Sequence, residues 1–108
     1  MPVKLPEPLL RYFEASNAHN TDALVACFAS HATVHDEGKD LRGHEAIRAW
    51  NEANIRKYQV TTDPTAVTEA DGKTTVTVQV SGTFDGSPIE LDFAFKIAGA
   101  KIEALEIG

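Results

Sequence analysis

At Tyr58 the hydrophobic pattern of this chain changes period, and that change limits the folds open to it. Before it the spacing is helical. Leu9, Tyr12, Phe13 and Ser16 share one face, and Ile47, Trp50, Asn54 and Tyr58 share another. After it alternation takes over. Val76, Val78, Val80 and Phe84 alternate with Thr75, Thr77, Gln79, Ser81 and Thr83, and Ile89, Leu91, Phe93, Phe95 and Ile97 form the next apolar row. Turns are signalled at Asp71-Gly72, Asp85-Gly86 and Gly99. Helices followed by a run of strands predict an α+β domain, with N-terminal helices packed on a strongly curved antiparallel sheet. A sheet bent into a cone leaves an apolar pocket at its open end.

The finer reading places a first helix from Pro6 or Pro8 to about Asn17, because proline is tolerated in the first helical turn. Asn20 caps a second helix that ends near Ser30, with Leu24, Val25 and Phe28 facing inward. Thr33 to Asp36 is a short strand, Glu37 to Asp40 a turn, and Leu41-Arg42 a return strand. A third helix runs from Gly43 to about Lys57. Gln59 to Thr62 is extended, Ala66 to Ala70 is a strand, and Lys101 to Ile107 is the last strand. In that last strand Ile102 has one parity and Leu105 and Ile107 the other, which predicts a bulge or a strand covered on both faces.

Residues 1–108 suit a single domain. A net charge of −6 with no Lys/Arg cluster argues against nucleic acid as a partner. No apolar run approaches the ~20 residues of a membrane span, and the N-terminal residues lack a signal peptide's apolar segment, so a cytoplasmic protein with no membrane partner is expected. Cys27 has no partner for an internal disulfide and reads as a buried small hydrophobe.

Several stretches together resemble the nuclear transport factor 2-like superfamily, in its SnoaL-like and ketosteroid-isomerase-like branch. They are Arg11-Tyr-Phe, Asn17-Ala-His-Asn-Thr-Asp-Ala-Leu, Phe28-Ala-Ser-His-Ala-Thr-Val-His-Asp, Leu41-Arg-Gly-His-Glu-Ala-Ile and Gly99-Ala-Lys-Ile. Ser30-His31 stands where the family usually has acidic residues, and Glu37 where it has proline. The resemblance implies an α+β roll, often dimeric, that binds a small molecule. Some members catalyse proton transfer beside a carbonyl without a cofactor, as isomerases or cyclases, and others only bind.

Asp36 shares the parity of apolar Val34, which puts a carboxylate at the wall of the expected pocket. The matching position in the ketosteroid-isomerase branch is the general base. Tyr12, on the inner stripe of the first helix, matches the branch's oxyanion-donating tyrosine. Asp92 lies near the second, protonated aspartate of that branch, but its parity is opposite to Leu91 and Phe93, so that only a bulge would turn it inward. Phe28, Val34, Trp50, Asn54, Tyr58, Val78, Phe84, Phe93 and Phe95 are the expected pocket lining. His35 should point away from Asp36, His31 should follow a helix C-terminus and His44 should be solvated. No pair has metal-ligand spacing, so no metal or cofactor is expected. The Thr-rich outer row suits sheet-to-sheet pairing of two copies.

Two readings therefore stand. One is a proton-transfer enzyme acting on an apolar ring compound, with Asp36 as base and Tyr12 as donor. The other is a non-catalytic ligand-binding or dimeric interaction domain of the same fold.

Overall fold

The computed structural model describes residues 4–108. Three helices come first, α1 (Glu7–Asn17), α2 (Thr21–Ala26) and α3 (Gly43–Tyr58), with the hairpin β1 (Phe28–Asp36) and β2 (Lys39–Arg42) between the last two. Four strands follow: β3 (Thr61–Ala70), β4 (Lys73–Ser81), β5 (Ile89–Ala98) and β6 (Lys101–Ile107). All six strands form one sheet in the order β2-β1-β6-β5-β4-β3.

The sheet is mixed, which corrects the expectation of a wholly antiparallel one. The last strand, β6, inserts between β5 and β1 and runs parallel to β1. A parallel neighbour needs a long crossover, and everything from the β1–β2 hairpin to the β5–β6 turn supplies it. The same insertion shortens α2. The Ile102 amide donates to the Cys27 carbonyl at 2.8 Å, and Phe28 pairs with Ile102. Residues expected to finish a helix near Ser30 are thereby captured as strand, and His31 lies exposed within β1 rather than behind a helix end. Tertiary pairing overrides the local signal here.

One further boundary moves for an equally local reason. β4 stops at Ser81, so Phe84 leaves the alternating row. The Thr83 amide donates to the Tyr58 carbonyl at 2.7 Å, which pulls this stretch onto the end of α3. Gly82 permits that approach, because a Cβ there would collide with the Tyr58 carbonyl oxygen. The parity slip in β6 is a bulge: Lys96 pairs with Ala104 and Ile97 with Ile102, leaving Glu103 extra. Ile102 and Leu105 can then both face the core.

The core gathers Leu9, Phe13, Leu24, Phe28, Val34, Ile47, Val76, Val78, Phe95, Ile102 and Leu105 between the helices and one sheet face. On the other face Thr75 and Thr77 are half-buried and Gln79 is exposed; across the pair they oppose Ala94, Asp92 and Glu90. No helix among the described residues is long and apolar enough to cross a membrane.

One polar anchor fixes α1 against β3. The Asn17 side chain donates to the Thr62 carbonyl at 2.8 Å and accepts from the Thr62 amide at 2.7 Å and hydroxyl at 3.0 Å. Asn17→Ala strips three bonds from the largely buried Thr62. It is expected to cost about 2 kcal/mol in urea unfolding, with Asn17→Asp recovering part of it through its accepting oxygen.

Candidate active site

The site begins at the C-terminal end of β1. Val34 is fully buried, and two residues on along the same face comes Asp36. The chain then turns through Glu37 and Gly38, both with positive φ, and returns as β2, with Lys39 opposite Asp36. α3 crosses this end of the sheet and brings the Trp50 indole N–H to Asp36 Oδ2 at 2.9 Å. One carboxylate oxygen is thus held by a neutral donor.

From α1 comes Tyr12, only 2% exposed. Its ring packs edge-on against Phe13, Phe28, Phe93 and Phe95, with centroids 5.0 to 6.5 Å away. Such a cluster fixes ring orientation. Among the described residues, none is hydrogen-bonded to its hydroxyl, and no fully buried polar side-chain atom lacks a partner, so that hydroxyl reaches open space. Burial pushes the Tyr12 phenol well above its ordinary value, and the Asp36 charge pushes the same way. Tyr12 is therefore a donor that stays protonated, and not a base.

That open space is a cavity of about 230 Å³ lined by both residues. Its helical wall carries Tyr12, Ser16, Asn51 and Asn54, with Thr62 beside them from β3. Its opposite wall is apolar, built from Val80, Ile89, Leu91, Phe93 and Ile107. Trp50, Tyr58 and Phe84 are half-buried at its rim with Asp36, and the exposed Glu37 joins them. Gly82→Ala would push the Tyr58 carbonyl away from β4 and splay the Tyr58–Phe84 corner.

Of the residues expected in the pocket, Tyr12, Asp36, Trp50, Asn54, Tyr58, Phe84 and Phe93 come together at this cavity. Phe28, Val34, Val78 and Phe95 do not; they lie deeper, in the closed core beneath it. Asp92 does not either. It sits exposed on the opposite sheet face, where the Thr77 hydroxyl donates to it at 3.2 Å. The only bulge in β5–β6 pairing falls beyond it, at Lys96/Ile97, so nothing turns it inward. The oxyanion role suggested for Asp92 is thereby excluded.

Sequence reasoning missed Ser16, Glu37, Asn51, Val60, Thr62, Val80, Ile89, Leu91 and Ile107 as lining. Of these, Ser16 carried a signal that could have found it, being four residues from Tyr12 on the same helical face. Among the described residues no group of three or more His, Cys, Asp or Glu is placed to hold a metal ion. His44 is half-buried, not solvated; its Nε2 lies 2.8 Å from the Phe28 carbonyl and ties α3 to β1.

His35 points to the far face, as its parity requires, with Nδ1 2.6 Å from Asp40 Oδ1. The hydrogen bond to Asp40 holds its pKa above the ordinary histidine value. The group is exposed, so its stabilising effect is shallow. It is fully present below the unfolded pKa of about 6.5 and fades as pH rises through the higher folded value. Urea midpoints measured across that window are expected to fall slightly for the native chain and to lose this component in His35→Gln.

Helices laid on one face of a mixed sheet, with a cavity between helical wall and sheet, define the nuclear transport factor 2-like, ketosteroid-isomerase-like class of fold. Residues 9–104 match the SnoaL-like domain, and the chain belongs to that family. A "putative polyketide cyclase" from Sinorhizobium meliloti is 38% identical, with a TM-score of 0.93 over 96% of this chain and 95% of that one. A protein of ketosteroid isomerase-like fold from Catenulispora acidiphila, in complex with trimethylamine, is 22% identical, with a TM-score of 0.83 over 97% and 86%. The epoxide hydrolase/cyclase-like enzyme SalBIII, of pyran ring formation in the polyether salinomycin, is 23% identical, with a TM-score of 0.78 over 94% and 86%. The curated proteins yielded no match.

Proposed function

We propose that the cavity binds a small ring compound bearing a carbonyl and that Asp36 removes a proton from the adjacent carbon. The C–H electron pair moves to the carbonyl oxygen, and the Tyr12 hydroxyl donates to the enolate oxygen as charge develops there. Trp50 holds Asp36 Oδ2 and leaves the other oxygen to accept the proton. The observation that carries this reading is the convergence of Asp36 and the otherwise unpartnered Tyr12 hydroxyl on one cavity.

The cavity, about 230 Å³ and partly open to solvent, has room for a small ring compound. The likeness to the Sinorhizobium meliloti protein, described as a "putative polyketide cyclase", supports chemistry on a ring-forming compound.

The test is loss of α-deuterium from a panel of labelled monocyclic and bicyclic ketones, followed by NMR. Exchange above the buffer rate is expected for the native chain. Tyr12→Phe should lower it about 100-fold, as removal of one oxyanion donor does. No exchange on any member, with ligands nonetheless raising the melting temperature, would favour the second reading, a binding domain without turnover. The outward Asp92 favours that second reading, because it leaves the cavity one donor short.

We also propose that two copies pair through the outer sheet face. The mild row of Thr75, Thr77 and Ala94 supports this. Light scattering should give a dimer mass, and Ala94→Arg a monomer mass; a monomer at all concentrations rejects the pairing.

A further inference from the structure

The charge of the cavity is one-sided. Asp36 and Glu37 line it; no Lys, Arg or His does. Lys39 stands opposite Asp36 on β2 but outside the lining, and no described cation forms an ion pair with either carboxylate. Three half-buried aromatic rings share this rim, from Trp50, Tyr58 and Phe84. Tyr58 and Phe84 meet at 89° with centroids 5.8 Å apart, so two perpendicular π systems bound one corner. Lys57 Nζ lies 5.3 Å from the Tyr58 centroid without lining the cavity, so one face of this ring is already taken. Carboxylates and aromatic rings lining one cavity make the environment that retains an alkylammonium ion after most of its water is removed.

The proton transfer gives a second reason. When Asp36 takes the proton it becomes neutral and the substrate becomes an enolate. The cavity then holds that negative charge together with Glu37. A positive group on the substrate offsets the pair, and no protein cation in the lining does so.

Resting on the reading of this cavity as the ligand site, we propose that its substrate is a compact carbonyl compound carrying an alkylammonium group. The carbonyl oxygen faces the Tyr12 hydroxyl, and the ammonium sits by Glu37 against Trp50, Tyr58 and Phe84. The Tyr12 hydroxyl, on a side chain 2% exposed and without a partner among the described residues, marks the other end of the ligand.

Three isosteres separate charge from shape: choline, neohexyl alcohol with carbon in place of nitrogen, and the tert-butylacetate anion. Trp50 is the only tryptophan, so its emission reports occupancy directly. Choline is expected to bind about tenfold more tightly than neohexyl alcohol at low salt, with tert-butylacetate weakest. Glu37 is an exposed turn residue, so Glu37→Gln keeps the fold and should shrink the choline advantage several-fold, while Phe84→Leu should weaken choline more than the alcohol. Equal affinity for choline and neohexyl alcohol, or no saturable choline binding, overturns the ammonium assignment and leaves proton transfer on neutral rings standing. Choline preference without α-proton exchange on any ketone supports the assignment and fails the catalytic reading instead.

Discussion

Asp36→Asn is expected to slow α-proton exchange by about a thousandfold while leaving the protein folded. The amide oxygen of asparagine can still accept the Trp50 N–H that Asp36 accepts at 2.9 Å, so the local hydrogen bonding survives and only the proton acceptor is lost. The melting temperature should stay within a few degrees of the native value, roughly the shift that 1 kcal/mol gives in a domain of this size. Trp50→Phe is the companion change. It frees Asp36 without removing it, so exchange should fall much less than in Asp36→Asn. A native rate in Asp36→Asn would remove Asp36 from the reaction.

The largest effect on stability is expected at Phe95→Ala. Phe95 is fully buried, and its ring contacts Tyr12, Phe13 and Phe93 with centroids 5.4, 5.9 and 6.3 Å away. Truncation removes the apolar transfer term and leaves a void, together about 3–5 kcal/mol. That is a large share of the 5–15 kcal/mol typical of a domain. The void opens under Tyr12, so the donor loses its fixed direction before the chain unfolds. Urea unfolding measures the first effect. The second appears as weakened ligand binding at denaturant concentrations where the fold persists. A cost below about 1 kcal/mol would mean that the aromatic cluster repacks freely.

The architecture was legible because two hydrophobic periods meet at one residue and strong turn signals punctuate the second. Parity put Asp36 on the Val34 face and His35 on the other; for Asp92 it pointed outward but left a bulge open, and only the pairing of β5 with β6 decides its direction. What one strand's pattern cannot carry is its neighbour. The capture of Phe28 by Ile102, and with it the parallel β1–β6 pair, depends on residues about seventy positions apart. The depth of the cavity was illegible for a related reason. Phe93 and Phe95 share a face and a chemistry, yet Phe93 lines the cavity and Phe95 lies beneath it. That difference is set by where α1 and α3 cross the sheet. Glu37 was hidden because it sits in a turn with positive φ, where strand parity no longer predicts direction.

The most direct test of the shared cavity is the affinity for a nitrophenolate, a planar oxyanion shaped like an enolate, at a pH where it is ionised. If Asp36 and Tyr12 face the same ligand, Asp36→Asn removes a repelling charge and should tighten binding about tenfold, and Tyr12→Phe removes a donor and should loosen it by a similar factor. Equal affinity in the native chain and both variants would contradict the account.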